Sequence, residues 1–340
     1  MENVFVITDF GAVGDGKTDC TAAIQSALDE AAAVSGKVVV PPGVFMTVGG
    51  LKMRGKGVSL CGTPAWSFRN DGASVLKLCG DKTDCMLDIS GAFGCTIHGI
   101  CMNGAGLGEN IHGIKLYWDR SNGGGQEDTP TVDDCRIGNF TGDGLHFEHA
   151  WCFSVRHSMI YGNGGAGLLI AGWDAFIIDN WFTSNRNGGI RSEWNRTGGF
   201  IIERGDSFNF TGNFFDRTFG PALELGRDGI GVNLATVTGN VFRRGGAYEE
   251  KPFENPEKSS HMILDGCTGC VITGNTMKVG AGDGGVLPVS PDYGVIMRNC
   301  ENSILKENAM HNGSLKNNLI EENNTCCIIA DNVGCLYSGD

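Results

Sequence analysis

Ile178-Asp-Asn180-Trp-Phe182, Phe210-Thr-Gly-Asn213-Phe-Phe215, Val237-Thr-Gly-Asn240-Val-Phe242 and Ile272-Thr-Gly-Asn275-Thr-Met277 repeat one pattern, an asparagine between two apolar residues. It returns at Leu305-Lys-Glu-Asn308-Ala-Met310 and at Ile329-Ala-Asp-Asn332-Val333, and upstream Ser158 and Cys135 fill the same column. From residue 135 the spacings are 23, 22, 33, 27, 35, 33 and 24. The short spacings suit one coil of three strands and three turns, and the long ones are the same coil with an insertion. A single coil cannot bury its own interior face, so coils must stack. Asparagines at one turn position would then form a side-chain ladder from coil to coil. The pattern predicts an all-β fold, a right-handed parallel β-helix.

A second element follows each asparagine strand: Gly113-Ile-Lys-Leu-Tyr117, Gly144-Leu-His-Phe-Glu148, Gly167-Leu-Leu-Ile-Ala171, Gly189-Ile-Arg-Ser-Glu193, Ala222-Leu-Glu-Leu-Gly226, His261-Met-Ile-Leu-Asp265 and Gly294-Val-Ile-Met-Arg298. Side chains alternate in a strand, so Leu145, Leu168, Ile190, Leu223, Met262 and Val295 are expected inside. Two columns then face outward. One is Lys115, His146, Leu169, Arg191, Glu224, Ile263 and Ile296, and the other Tyr117, Glu148, Ala171, Glu193, Gly226, Asp265 and Arg298.

Composition agrees. The 340 residues include 54 glycines and 9 prolines with 41% apolar residues, and no G-X-Y period exists, which excludes collagen and a flexible tail. Glycine at this density weakens helices and suits tight turns between short strands. With 26 Lys+Arg against 39 Asp+Glu the net charge is −13, which argues against a nucleic-acid partner. No apolar run is long enough for a membrane span. The chain opens Met-Glu-Asn-Val with neither a basic nor an apolar leader segment, so a cytoplasmic location with reduced thiols is expected for its 14 cysteines. Cys267-Thr-Gly-Cys270 lacks a second ligand pair and reads as buried thiols rather than zinc.

At the N-terminus a strand at 4–8 is followed by a turn-rich loop, a helix at about 20–34 with Ile24, Ala27, Leu28 and Ala31 on one face, and a strand from Lys37. The loop glycines are ordered G-x-x-G-x-G, which is not the dinucleotide pattern. The helix is expected to cap the open end of the β-helix. One domain, 1–340, results: a cap at 1–45, stacked coils at 46–335 and a tail at 336–340.

Asp9-Phe-Gly-Ala-Val-Gly-Asp-Gly-Lys-Thr-Asp19, the helix, and then Val38-Val-Val-Pro-Pro-Gly43 together resemble the opening of the pectate-lyase-like, polygalacturonase-related superfamily of β-helix proteins. That resemblance implies a carbohydrate on the groove over one sheet, and a homotrimer as one assembly. Of the four polygalacturonase motifs, only Thr141-Gly-Asp143-Gly144 has a counterpart, so that particular mechanism is not implied.

The outer face offers carboxylates for glycosidic cleavage, which takes an acid and a second carboxylate as nucleophile or base. Glu148, Glu193, Glu224, Asp265 and Asp143 are the catalytic candidates. Arg191, His146, Lys115, Tyr117, Trp118, Trp194 and Arg298 are candidates for substrate binding. Charged residues belong on any solvated face, yet Leu169, Ala171 and Gly226 form a floor of small and apolar residues among these acids. Trp181, beside the asparagine column, is expected in the core. The insertions 118–130 and 244–260 are expected to wall the groove. No cofactor or metal is expected.

The leading reading is a glycosidase, or a transglycosylating relative, acting on an oligo- or polysaccharide. The alternatives are a lyase acting by β-elimination on a uronate glycan, for which Lys115, Tyr117, His146, Arg191 and Arg298 would serve, and a non-catalytic, tailspike-like carbohydrate binder. On the carboxylate-pair reading, Glu193→Gln is expected to abolish turnover in a glycan-cleavage assay while leaving the circular dichroism spectrum intact.

Overall fold

The structure, a computed structural model, describes residues 3–117, 129–192, 205–246, 253–279 and 290–335. Strand accounts for 48% and helix for 7%, so the fold is all-β, a right-handed parallel β-helix with one helix near the N-terminus. The contacts fall into two compact units, Met1–Gly165 and Ala166–Asp340.

In the first unit every ladder is parallel. One stack runs Val4–Val6, Lys37–Val39, Ser59–Cys61, Thr96–His98, Thr131–Asp133 and Ser154–Arg156. A second runs Ser74–Leu78, Cys101–Asn103, Arg136–Gly138 and Met159–Tyr161. The third joins Cys85–Asp88, His112–Tyr117 and Leu145–Trp151. Ile97, Val132, Val155, Ile137, Ile160, Ile114 and Leu145 are buried along these stacks, as alternation requires. The helix Thr21–Val34 buries Ile24, Ala27, Leu28 and Ala31, the face read from the sequence. Gln25 ties it to a coil by accepting from Lys52 N at 2.8 Å and donating to Lys52 O at 2.9 Å. The expected loop at 9–19 is more regular than the sequence suggested, because Asp15–Asp19 pairs with Gly43–Thr47.

The second unit repeats the same plan. Its ladder starts at Asn180, whose backbone N–H and Nδ2 both donate to Asn213 Oδ1 at 3.1 Å. Asn213 does the same to Asn240 (2.9 and 3.0 Å), and Asn240 to Asn275 (3.0 and 3.0 Å). Asn275 continues to Asn308 (3.0 and 2.9 Å), and Asn308 to Asn332 (3.1 and 2.8 Å). The residue before each asparagine turns the corner with positive φ: Asp179 (54°), Gly212 (67°), Gly239 (65°), Gly274 (66°), Glu307 (58°) and Asp331 (53°). Glycine is the unstrained choice there, which explains the Thr-Gly-Asn triplets. Behind the ladder Phe182, Phe215 and Phe242 stack at 5.3 and 4.8 Å.

Phe182, not Trp181, is the buried residue of that strand. Trp181 is 38% exposed and meets Phe214 edge-on at 5.5 Å, so the expectation of a core tryptophan is corrected. It stands on the opposite side of the alternation from its buried neighbour. Cys267, Cys270 and Cys300 are buried thiols. Among the described residues no helix is long and apolar enough to cross a membrane.

Asn240→Ala would leave the Asn213 N–H and Nδ2, and the carbonyls of Phe210 and Thr238, without the bonds that Asn240 makes. A buried unsatisfied group costs about 1–3 kcal/mol. The expected loss is about 2–4 kcal/mol, read as a lower urea midpoint and a lower Tm.

Candidate functional site

The first unit gathers several of the candidates on the outer face of one sheet. Register places Lys115 beside His146 and Tyr117 beside Glu148 on adjacent coils, as the columns predicted. Adjacent strands lie about 4.8 Å apart. His146 Nδ1 lies 2.7 Å from an Asp143 carboxylate oxygen, and its Nε2 lies 2.7 Å from Glu148 Oε1. One imidazole is therefore held between two carboxylates. Burial pulls the His146 pKa down, but the hydrogen bonds and charges of Asp143 and Glu148 outweigh it and raise the value to about 9. At neutral pH this ring is a cation.

His112, which the sequence reading missed, completes the group. Its Nδ1 accepts the Asp143 backbone N–H at 2.9 Å, and its ring centroid lies 4.2 Å from that of His146. Burial, then the His146 charge, push its pKa down to about 4, so it is neutral where its neighbour is charged. Two glycines make room for the cluster. A Cβ on Gly142 would stand 2.7 Å from His112 Nδ1, and one on Gly165 would collide with the Asp143 carboxylate.

Lys115 Nζ lies 2.7 Å from Asp84, a residue the sequence reading did not single out. Burial works against the Lys115 charge, but the contact with Asp84 prevails and its pKa is raised. The same contact lowers the pKa of Asp84. Tyr117 receives its position from its backbone N–H, which donates to Ser90 Oγ at 3.0 Å, and its ring lies 5.5 Å from that of His149.

The remaining described candidates lie in the second unit, where arginines hold the acids. The register Arg191↔Glu224 and Asp265↔Arg298 follows the predicted columns. Buried Glu224 sits 3.0 Å from Arg227 Nη2 and 3.6 Å from Arg191 Nε. Asp265 accepts from Arg298 Nε at 3.1 Å, from the Gly229 N–H at 3.1 Å and from Asn299 Nδ2 at 3.0 Å. Arg298 also grips Glu257 at 2.7 Å, and its own pKa, lowered by burial, is carried upward overall by these two acids. Ala171 and Leu169 are buried. Glu193, Trp194 and Trp118 lie outside the described residues, as do 118–128 and 247–252 of the two insertions.

Among the described residues, His112, Asp143 and His146 could hold a metal ion, with ligand atoms within 4.8 Å of one another. The histidine nitrogens are committed, however. His112 Nδ1 already accepts an N–H, and both nitrogens of His146 face carboxylates. Binding a metal would mean giving up these bonds.

What these features define is a parallel β-helix with a titratable cluster on the outer face of one sheet. The chain belongs to the rhamnogalacturonase A/epimerase, pectate lyase-like family, whose model matches residues 4–209, more than half its length. This is a carbohydrate-active β-helix fold. No curated protein matches the chain. Among solved structures, the A-module of the mannuronan C-5 epimerase AlgE6 of Azotobacter vinelandii is similar at 16% identity, with a TM-score of 0.69 over 93% of this chain and 79% of that one. Tailspike protein 2 of the Escherichia coli O157:H7 bacteriophage CAB120 is similar at 12% identity, with a TM-score of 0.62 over 97% of this chain and 39% of that one. The catalytic unit of an α-1,3-glucanase from Streptomyces thermodiastaticus is similar at 16% identity, with a TM-score of 0.54 over 98% and 69%. These likenesses concern the fold.

The two histidines act on stability with opposite signs. His146, raised from 6.5 to about 9, stabilises fully below pH 6.5, and that contribution is lost as pH rises through 9. His112, lowered from 6.5 to about 4, costs stability as pH falls from 6.5 toward 4. Their joint contribution should therefore be greatest near pH 6.5. Urea midpoints measured from pH 4 to 10 should show this, and His146→Gln should flatten the alkaline limb and, by removing a charge that depresses His112, also soften the acid limb.

Proposed function

We propose that the chain acts on a uronate-containing glycan by removing the proton at C5, the step shared by β-elimination and epimerisation. The observation that carries this reading is the cation pair formed by Lys115 and the His146 imidazolium on adjacent coils. A proton α to a carboxylate becomes acidic when cations neutralise that carboxylate and stabilise the enediolate that forms. Lys115 and His146 supply those charges, Tyr117 exchanges the C5 proton, and Asp143 and Glu148 keep His146 oriented and charged. Once the C5 proton has passed to the Tyr117 oxygen, expulsion of the C4 substituent carrying that proton away gives a lyase, and delivery of a proton from water to the opposite face, with the hydroxide taking up the Tyr117 proton, gives an epimerase.

This reading departs from glycosidase chemistry on a physical ground. A glycosidase keeps one carboxyl protonated as an acid. Asp143 and Glu148 are both engaged by the one His146 ring that lies 2.7 Å from each, so neither carboxyl is presented to a leaving-group oxygen. Hydrolysis stays as the second reading because the two carboxylates do flank one spot.

The test is a panel of oligogalacturonate, oligomannuronate, rhamnogalacturonan fragments and neutral glucans incubated in D2O. The expected result is unsaturated uronate ends or deuterium at C5, with Lys115→Met and Tyr117→Phe each lowering kcat about 10²-fold or more. Activity should fall as pH rises through about 9, where His146 loses its charge. New reducing ends with every C5 proton retained would establish hydrolysis instead, and binding without any product would mark a carbohydrate-binding protein.

A further inference from the structure

A groove of about 510 Å³ lies on the second unit, and none of the candidates discussed above lines it. It runs over the outer face of Phe214–Asp216, Val241–Arg243 and Thr276–Lys278, extended by the bridge from Thr276 to Ala309. Alternation splits these strands. Phe215, Phe242, Met277 and Met310 are buried behind the sheet, and two columns face out. One column is apolar or small: Trp181, Phe214, Val241, Thr276 and Ala309, in register coil by coil. The other carries Arg243 and Lys278 in register, with His311 lining the same groove beyond them.

Among the described residues neither Arg243 nor Lys278 has a carboxylate partner. Asp216, the acid in their column, is instead clamped by Arg244, whose Nε and Nη2 both reach it at 2.7 Å. Unpaired cations over an apolar shelf are unexpected on a chain of net charge −13. A charged side chain beside apolar surface calls for an anion, and an exposed tryptophan edge-packed on phenylalanine offers a face for a sugar ring.

We infer that this groove is an accessory binding site for an acidic oligosaccharide. The two cations stand on adjacent coils, about 4.8 Å apart, a step of the same order as one pyranose residue in a chain, so two successive carboxylates meet the two cations. The ring faces lie along the Trp181–Phe214–Val241 column, two residues away along each strand. The site takes its ligand class from charge and shape on this face alone and does not depend on the chemistry assigned to Lys115 and His146.

Calorimetry with purified hexagalacturonate and hexamannuronate, and with maltohexaose as the neutral control, tests it on the full chain carrying Lys115→Met, which removes a cation of the candidate active site. At least one acidic hexasaccharide should bind, maltohexaose should not, and Arg243→Glu with Lys278→Glu should weaken binding at least tenfold with an unchanged Tm. Raising salt should weaken it in the parent alone. The milder Arg243→Ala/Lys278→Ala pair serves if the reversed pair folds poorly, and should weaken binding in the same direction. The inference fails if neither acidic sugar binds, or if both charge variants bind within twofold of the parent. It also fails if light scattering shows that the face instead joins two copies of the chain, with self-association abolished by the same variants and no sugar bound. A lyase or epimerase assay on the protein without Lys115→Met is scored separately, so loss of this site and loss of the catalytic reading give different results.

Discussion

The bond from one asparagine carboxamide to the next is the constraint on which the second unit depends. Each ladder residue, from Asn180 to Asn308, sends two donors to the same oxygen one coil on, so a slip of one residue would break both. With register fixed at that corner, every other position of a coil is fixed against its counterpart. Phe182 then falls on Phe215 and Phe215 on Phe242. In the first unit the same corner uses another chemistry, the Cys135 N–H donating to Ser158 Oγ at 3.0 Å. A parallel β-helix thus turns sequence into columns, and a column is the natural unit of a binding surface.

The columns explain why neighbouring carboxylates have such different prospects. Asp143 and Glu148 share a histidine that can give up its proton within an accessible pH range. Glu224 and Asp265 face arginines, which do not. The former arrangement sets a titratable ring between two acids, while in the latter Asp265 orders the turns around Gly229 and Asn299. Neutral His112 stacked on charged His146 extends the contrast: burial governs one ring and carboxylates the other.

Much of this was legible in the sequence because strand alternation and coil repetition are both periodic. The fold, the inner column from Leu145 to Val295, the helix face and the pairs Lys115–His146, Tyr117–Glu148, Arg191–Glu224 and Asp265–Arg298 all follow from those two periods. What escaped comes from residues outside the periods. Arg227 reaches Glu224 from a turn, and Glu257 reaches Arg298 from the short 3-10 turn Pro256–Lys258. His112 was within reach, since carrying the Ile114–Leu145 register back two residues sets it against Asp143. Trp181 neighbours the buried asparagine column, which pointed to the core, whereas alternation assigns that side to Phe182. Arg243 and Lys278 stand on the strands that follow the ladder asparagines, a different outer face from the glycine-led strands that carry the other candidates.

The unequal coil lengths have an evolutionary consequence. Successive ladder residues are separated by as few as 24 and as many as 35 positions, yet the hydrogen bonds between them are the same. The added residues leave the corner bonds unchanged. Such a scaffold can be remodelled one loop at a time, with each insertion tried and discarded at little cost to the neighbouring coils. Sequence diversity can therefore accumulate between the corners while the spine stays constant.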